Sequence, residues 1–349
     1  MKSLVYPSAL FLGTLALFWL TLSPTISLQG DSGEFAVAVF NLGIPHPPGY
    51  PSYILLAKLF TLLFPSSQFI FALNFFSALM GALSALLLFL VLDKLTSSRR
   101  LAIIMALFFS TSLEFWFHST IIEVYTLNIF FILLTFFLLL KKVKPLFSLG
   151  LVMGLGIGVH YFFLVLIPFF LLYLFWSNEK KLQLFFLLPG FLIGVATLLY
   201  IPLRAGKFAP LNTLNVDSPE RMTKMLLFPF NGYPKVKKVK PERVTPIVKS
   251  TLNKMKRRAL EKVEMVKAYA KELTIQFNLL VYLAALLLLF LYIRLIQKKW
   301  QLSQWHLIFS LLFLYTSLGF LYFTGFKQNS SLESEMTPQY ITSYLFFIL

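Results

Sequence analysis

Apolar runs of bilayer length recur along this chain at short intervals, and few architectures can house them. The first, Leu4 to Leu22, holds nineteen residues without a charge, close to the ~20 that a helix needs to cross hydrocarbon. Others lie at Phe69 to Leu92, Leu101 to Leu113, Ile121 to Leu140, Leu146 to His160, Tyr161 to Trp176, Leu182 to Leu203, Gln276 to Ile296 and Leu302 to Phe323. Inside a bilayer every backbone N–H and C=O must be satisfied within its own element, so such runs fold as helices. The chain therefore reads as an all-α polytopic membrane protein with about 9–10 transmembrane helices. Composition agrees: 58% of residues are hydrophobic and 13% charged, against ~45–50% and ~25% in soluble domains. Cysteine is absent, which excludes disulfides, thiolate metal sites and cysteine nucleophiles. No small-x-small cleavage site follows the first run, which reads as a retained anchor rather than a signal peptide.

Short basic loops orient the spans, because Lys and Arg near span ends stay on the cytoplasmic side. With Lys2 inside, alternation also puts Lys94, Arg99 and Arg100, then Lys141, Lys142 and Lys144, then Lys180 and Lys181, and finally Arg294, Lys298 and Lys299 inside. The opposite, outer face collects Asp31, Glu34, His46, Glu114, His118, Glu123, His160 and Arg204. Two outer segments are long. Residues 23–68 contain Tyr53 to Phe64, whose twelve residues suit an interfacial or re-entrant helix better than a span. Residues 204–274 carry seventeen Lys/Arg against six Asp/Glu, which supplies +11 of the formal net charge of +17. Within them Val248, Leu252, Met255, Ala259, Val263 and Val266 recur at helical spacing. That pattern predicts a basic amphipathic helix, either a strut on the headgroups or a positive field that gathers an anionic lipid-linked substrate. No nucleic-acid module accompanies this charge, so nucleic acid is not expected as a partner. The expected organisation is a transmembrane core over residues 1–203, the basic outer loop over 204–274 and C-terminal spans over 275–349. The last apolar run, Ile341 to Leu349, is too short to cross and reads as a half-helix or as the edge of a fragment.

Polar chemistry concentrates in Gly30-Asp31-Ser32-Gly33-Glu34 and, eleven residues on, His46-Pro47-Pro48-Gly49-Tyr50-Pro51. A carboxylate beside a membrane is expensive and asks for a reason. Asp31 and Glu34, at i and i+3, share one face of a helix. They also fit a capping box, with Asp31 as N-cap and Glu34 at the third position. Prolines stiffen the backbone around His46 and aim its imidazole, though such turns also serve merely to join helices. Glu123 and Tyr125 open one span, and His160 ends another that carries Gly150, Gly154 and Gly158. That glycine row predicts close helix packing rather than a nucleotide loop. Arg204 closes Tyr200-Ile201-Pro202-Leu203-Arg204, where it can snorkel to headgroups or clamp a phosphate bidentately. No histidine and carboxylate cluster stands at metal-ligand spacing, so a metal is expected only through carboxylates such as Asp31.

These residues carry a resemblance. The opening block with Leu42-Gly43-Ile44-Pro45-His46-Pro47-Pro48-Gly49-Tyr50-Pro51, Glu123-Val124-Tyr125-Thr126-Leu127-Asn128, the Gly154 to His160 run, and Tyr200 to Arg204 followed by Pro210-Leu211-Asn212 resembles the protein O-mannosyltransferase-like family. That family lies within the GT-C superfamily of membrane glycosyltransferases. The resemblance covers about residues 1–235 and implies a GT-C-like fold with a catalytic acid in the first outer loop. It further implies a polyprenyl- or dolichyl-phosphate sugar as donor, with mannose favoured, and a hydroxyl acceptor on a protein Ser/Thr, a lipid or a glycan. It places the catalytic carboxylate at Asp31. With Glu34 beside it, His46, Tyr50, Glu123, Tyr125, His160 and Arg204 are the expected substrate-binding residues, Arg204 on the donor phosphate; no divalent metal is indicated. The alternatives are a transporter or lipid flippase and a non-catalytic scaffold. Either a bacterial inner membrane with the site facing the periplasm, or an endoplasmic reticulum with a lumenal site, fits the topology.

Overall fold

The computed structural model describes residues 2–213 apart from 142–144, 161, 177–184, 206 and 208. The basic amphipathic segment and the spans expected at Gln276 to Ile296 and Leu302 to Phe323 lie outside the described residues. Within them every extended element is helical: α1 (Lys2–Leu20), α2 (Ser32–Asn41), α3 (Pro51–Thr61), α4 (Phe69–Thr96), α5 (Arg99–Ser110), α6 (Leu113–Ser119), α7 (Tyr125–Leu139), α8 (Leu146–Val159), α9 (Phe162–Trp176), α10 (Leu187–Val195) and α11 (Tyr200–Ala205). The chain is an all-α membrane protein. Among the described residues two helical stretches, Ser66–Thr96 and Leu187–Ala205, are long and apolar enough to cross a bilayer, or up to three if α5 and α6 count as one broken span.

α4 is the central post, packing against α1, α5 and α7. Seven of its fifteen buried positions are small, Ala72, Ser77, Ala78, Gly81, Ala82, Ser84 and Ala85, which lets neighbouring backbones approach closely. Asn74, fully buried on this helix, donates through Nδ2 to the Ser23 and Thr25 carbonyls at 2.8 and 3.1 Å and so ties the loop after α1 to the post. α8 and α10 form the tightest crossing. A Cβ on Gly150 would strike the Leu187 carbonyl, and one on Gly190 the Phe147 carbonyl; Gly154 and Gly194 face Phe191 O and Leu151 O in the same way. The glycine row is therefore a helix-packing seam.

Two expected spans are corrected. Leu101 to Leu113 does not continue as one helix: α5 stops at Ser110 and α6 leaves it at 68°. Ser110, Thr111 and Ser112 return their hydroxyls to the carbonyls of Leu107, Leu107 and Phe109, which competes with the helical ladder and allows the turn. Ile121 to Leu140 becomes helical only at Tyr125. The carbonyls of Thr120 and Ile122 accept instead from Ser23 N and Ser32 Oγ. Both departures carry α6 and residues 120–124 toward the first loop.

Candidate active site

α2 begins where the chain, having left the C-terminal end of α1, turns through Gly30 at φ +70. At its far end Leu42 takes the left-handed conformation at φ 50, and Gly43 N–H returns to Ala38 O at 2.8 Å, the bonding pattern of a Schellman stop. A leucine there carries a steric penalty that glycine would not. Arg204 compensates: its Nε donates to Leu42 O at 2.6 Å and an Nη to Asn41 O at 3.0 Å, where a cation also suits the negative end of the helix. Tyr200 donates to Gly43 O at 2.8 Å, and Ile44 pairs with residues 211–213 through Ile44 N→Leu211 O and Thr213 N→Ile44 O. The segment after α11 thus pins the turn that carries His46.

That turn folds His46 back onto α2. Glu34 takes the ring and the backbone together, accepting from His46 Nδ1–H at 2.7 Å and from His46 N–H at 2.8 Å. Because a carboxylate only accepts, Nδ1 carries a proton; Nε2 lies 2.8 Å from the Tyr50 hydroxyl, which is itself 3.5 Å from the Pro47 carbonyl. The same Nε2 lies 3.6 Å from Asp31 Oδ2. The buried Phe35 ring backs His46, Tyr50 and Tyr53 with centroids 5.1–5.8 Å away. An aromatic path continues inward: Tyr50 to His160 at 5.9 Å, His160 to Tyr125 at 5.9 Å and Tyr125 to His118 at 4.8 Å. His118 in turn lies 3.5 Å from Glu114.

The carboxyls are tuned apart. Burial pushes Asp31 above its ordinary value of 3.8, opposed by the charge of His46 and assisted by that of Glu34. Burial would raise Glu34 also, but the hydrogen bond and charge of His46, with the Thr213 hydroxyl and the His46 amide, outweigh it and hold the group below 4.5. Glu123, only 1% exposed, is pushed up to about 8 by burial and by the Asp31 charge, against two backbone amides; near neutral pH it is a carboxylic acid. The Asp31 side chain, by contrast, is 47% exposed and makes no capping bond to its helix. It is the most exposed carboxylate of the cluster, ahead of Glu34 at 24%.

Of the residues expected from the sequence, Asp31, Glu34, His46, Tyr50, Glu123, Tyr125 and His160 form one cluster. Arg204 stands apart from it, at the other end of the ten-residue α2, about 15 Å along the helix from Asp31. The expectation that no histidine and carboxylate cluster stands at metal-ligand spacing is overturned: Asp31, Glu34 and His46 offer ligand atoms all within 4.8 Å of one another. The turn at residues 42–50 makes this set by folding back, which linear spacing does not show. The capping-box arrangement of Asp31 and Glu34 is not formed either, since Glu34 is engaged by His46. Thr213, which donates to Glu34 Oε1 at 2.9 Å, was missed; no local pattern marks it beyond its place after Pro210-Leu211-Asn212. His118 and Glu114 have no role in the sequence reading, and their helical spacing of four is the signal that links them.

Residues 31–183 match the family described as the Protein O-mannosyl-transferase TMEM260 N-terminal domain. The chain is 34% identical over 208 residues to the Protein O-mannosyl-transferase TMEM260 of Mus musculus, covering 56% of this chain and 29% of that protein. It is 28% identical over 131 residues to the Protein O-mannosyl-transferase tmem260 of Dictyostelium discoideum, covering 37% of this chain and 16% of that one. The matched stretches thus span less than a third of either relative's length. No solved structure matches. The matches support an O-mannosyltransferase-like family for the region that builds the site.

Proposed function

We propose, starting from that family resemblance, that this chain transfers a mannosyl group from a polyprenyl-phosphate-linked donor to a hydroxyl of a protein Ser or Thr. The reaction takes place on the outer or lumenal face of the membrane. The acceptor oxygen attacks the anomeric carbon as the bond from that carbon to the phosphate oxygen breaks. The hydroxyl proton passes to the Asp31 carboxylate, and the polyprenyl phosphate leaves with the bonding pair. Direct displacement inverts the configuration at the sugar carbon.

The observation that carries this reading is the state of Asp31: half exposed, bound to no helical amide, and 3.6 Å from the Nε2 of a histidine whose other nitrogen is held by Glu34. A carboxyl raised by burial is a better proton acceptor than one in water, and an imidazole beside it keeps it oriented. Glu34 acts through His46. Tyr50, with Tyr125 and His160 behind it, packs as an aromatic wall behind His46. Arg204 lies at the other end of α2, where its Nε and one Nη donate to two carbonyls, so the proton transfer is assigned without it. The cluster at one end of the helices favours a transferase over a transporter, whose ionisable groups belong near mid-span.

The test is release of free polyprenyl phosphate from a radiolabelled polyprenyl-phosphate mannose by the purified full chain with a Ser/Thr-rich acceptor peptide. Release that needs the acceptor and falls by about 100-fold or more in Asp31→Asn is the expected result. Release at the wild-type rate in Asp31→Asn removes Asp31 from the chemistry. No release from any donor in a panel of sugars, by folded protein, removes the transferase reading.

A further inference from the structure

The helix that carries Asp31 is capped in an unusual way, and the exception singles out Glu123. At a capping box the carboxylate three residues after the N-cap reaches back to the N-cap amide. In α2 that residue is Glu34, and it is absent from the amide because His46 holds both of its oxygens. The Asp31 N–H does not go unpaired. Glu123, 92 residues away in sequence, accepts it through Oε1 at 2.8 Å. Next to it the Ser32 hydroxyl donates to Ile122 O at 2.9 Å, so two adjacent bonds fasten the start of α2 to residues 122–123. The fit at this point is close. A Cβ on Gly30 would strike Glu123 Oε1, and Gly30 is in the left-handed region. Among the described residues Glu123 forms no ion pair, and its Oε2 has no hydrogen-bond partner.

We propose that Glu123 is the positioning residue for Asp31: it substitutes for the capping-box carboxylate from another part of the chain, which leaves Glu34 to His46 and leaves the Asp31 carboxylate outward-facing. Glu123 then touches neither donor nor acceptor. What it supplies is a buried carbonyl-type acceptor at one fixed place. An amide side chain of the same length meets that need, whereas a shortened one does not. Without the Oε1 acceptor the Asp31 amide is an orphan, Glu34 becomes its nearest substitute, and the bond from Glu34 to His46 is drawn off. The inference rests on the transferase reading for its kinetic half only; its structural half stands on the amide itself.

The experiment compares Glu123→Gln, Glu123→Ala and Gly30→Ala in the full chain, purified in detergent, with two readouts. Amide exchange over residues 30–34 is expected to stay within about threefold of wild type in Glu123→Gln and to speed by at least about tenfold in Glu123→Ala and Gly30→Ala. Transfer from polyprenyl-phosphate mannose is expected to fall in kcat by about 100-fold in the two alanine variants, the scale of a small misplacement of a reacting group, with the donor KM within about twofold. Glu123→Gln is expected to restore kcat to within about threefold. A Glu123→Gln protein as inactive as Asp31→Asn overturns the inference, since the carboxyl proton or charge would then be in use on substrate. Unchanged exchange in Glu123→Ala also overturns it. Where Glu123→Ala does not fold, Glu123→Gln and Gly30→Ala decide. If the wild type transfers nothing, the transferase reading fails while the exchange comparison still decides the role of Glu123.

Discussion

Gly30 and Gly33 stand three residues apart in one motif, yet the structure predicts opposite signs for their replacement by alanine. Gly30 lies at φ +70, and its added Cβ would meet the Glu123 carboxylate oxygen. Holding alanine in the left-handed region costs about 1–2 kcal/mol. Displacing Glu123 breaks its bond to the Asp31 amide and leaves that N–H donor unsatisfied, about 1–3 kcal/mol more. The sum, about 2–5 kcal/mol, corresponds to a fall in Tm of about 4–20 °C at ~2–4 °C per kcal/mol. Gly33 is inside α2, where the nearest atom to an added Cβ is Ile26 Cγ2 at 3.9 Å. Alanine there removes freedom from the unfolded chain and gains about 0.4–1 kcal/mol, a rise of about 1–4 °C. Thermal unfolding in detergent, followed by helical circular dichroism on both variants, is the assay. Two shifts of the same sign, or a Gly30→Ala protein that melts with the wild type, would refute the Gly30–Glu123 contact.

Glu123 offers a pH test. A carboxyl that holds its proton to about 8 when folded, against an ordinary 4.5, binds more protons folded than unfolded between those values, so its contribution to stability falls as pH rises through that window. The slope of Tm from pH 5 to 8 should be flatter in Glu123→Gln than in the wild type. Glu34 has the opposite sign: its lowered value contributes stability above about 4.5 that is lost as pH falls below it, and Glu34→Gln should remove that acid sensitivity. Arg204→Ala frees the Asn41 and Leu42 carbonyls and should cost about 1.5–3 kcal/mol per charge-assisted bond set in thermal unfolding, with the donor KM unmoved; a raised KM with unchanged Tm would make Arg204 a phosphate ligand after all. Gly154→Leu would press α8 off Phe191, Gly194 and Val195 of α10 and should destabilise by about 1–3 kcal/mol, again read as Tm.

Much of the candidate site was legible as residue types on one face. The sequence reading grouped Asp31, Glu34, His46, Tyr50, Glu123, Tyr125 and His160 from loop charge and motif position, and the structure brings these residues together. Their roles were not legible. Asp31 and Glu34 fit a capping box as well as a catalytic pair, and only the His46 ring, brought back by the Leu42 to Tyr50 turn, decides against the box. Arg204 was legible as a cation closing a helix, but the two carbonyls of the Schellman stop of α2 that it holds were not. The broken helix at Ser110 to Ser112 looked continuous because hydropathy does not register three hydroxyls turned back on their own carbonyls.

The sequence by itself determined that this is an all-α membrane protein and where most of its apolar segments run, because solvation by hydrocarbon acts residue by residue and leaves its mark in one dimension. It also determined that α8 would pack closely, since three glycines four apart leave a flat face. The tertiary structure decided which groups satisfy which. Asp31 meets Glu123 across 92 residues and Glu34 meets Thr213 across 179, and hydrogen bonds of 2.8–2.9 Å tolerate no error in that placement. Short-range polar chemistry between distant segments exists only once the helices are packed, which is why the chemistry of the loop could be located in the sequence and assigned only in three dimensions.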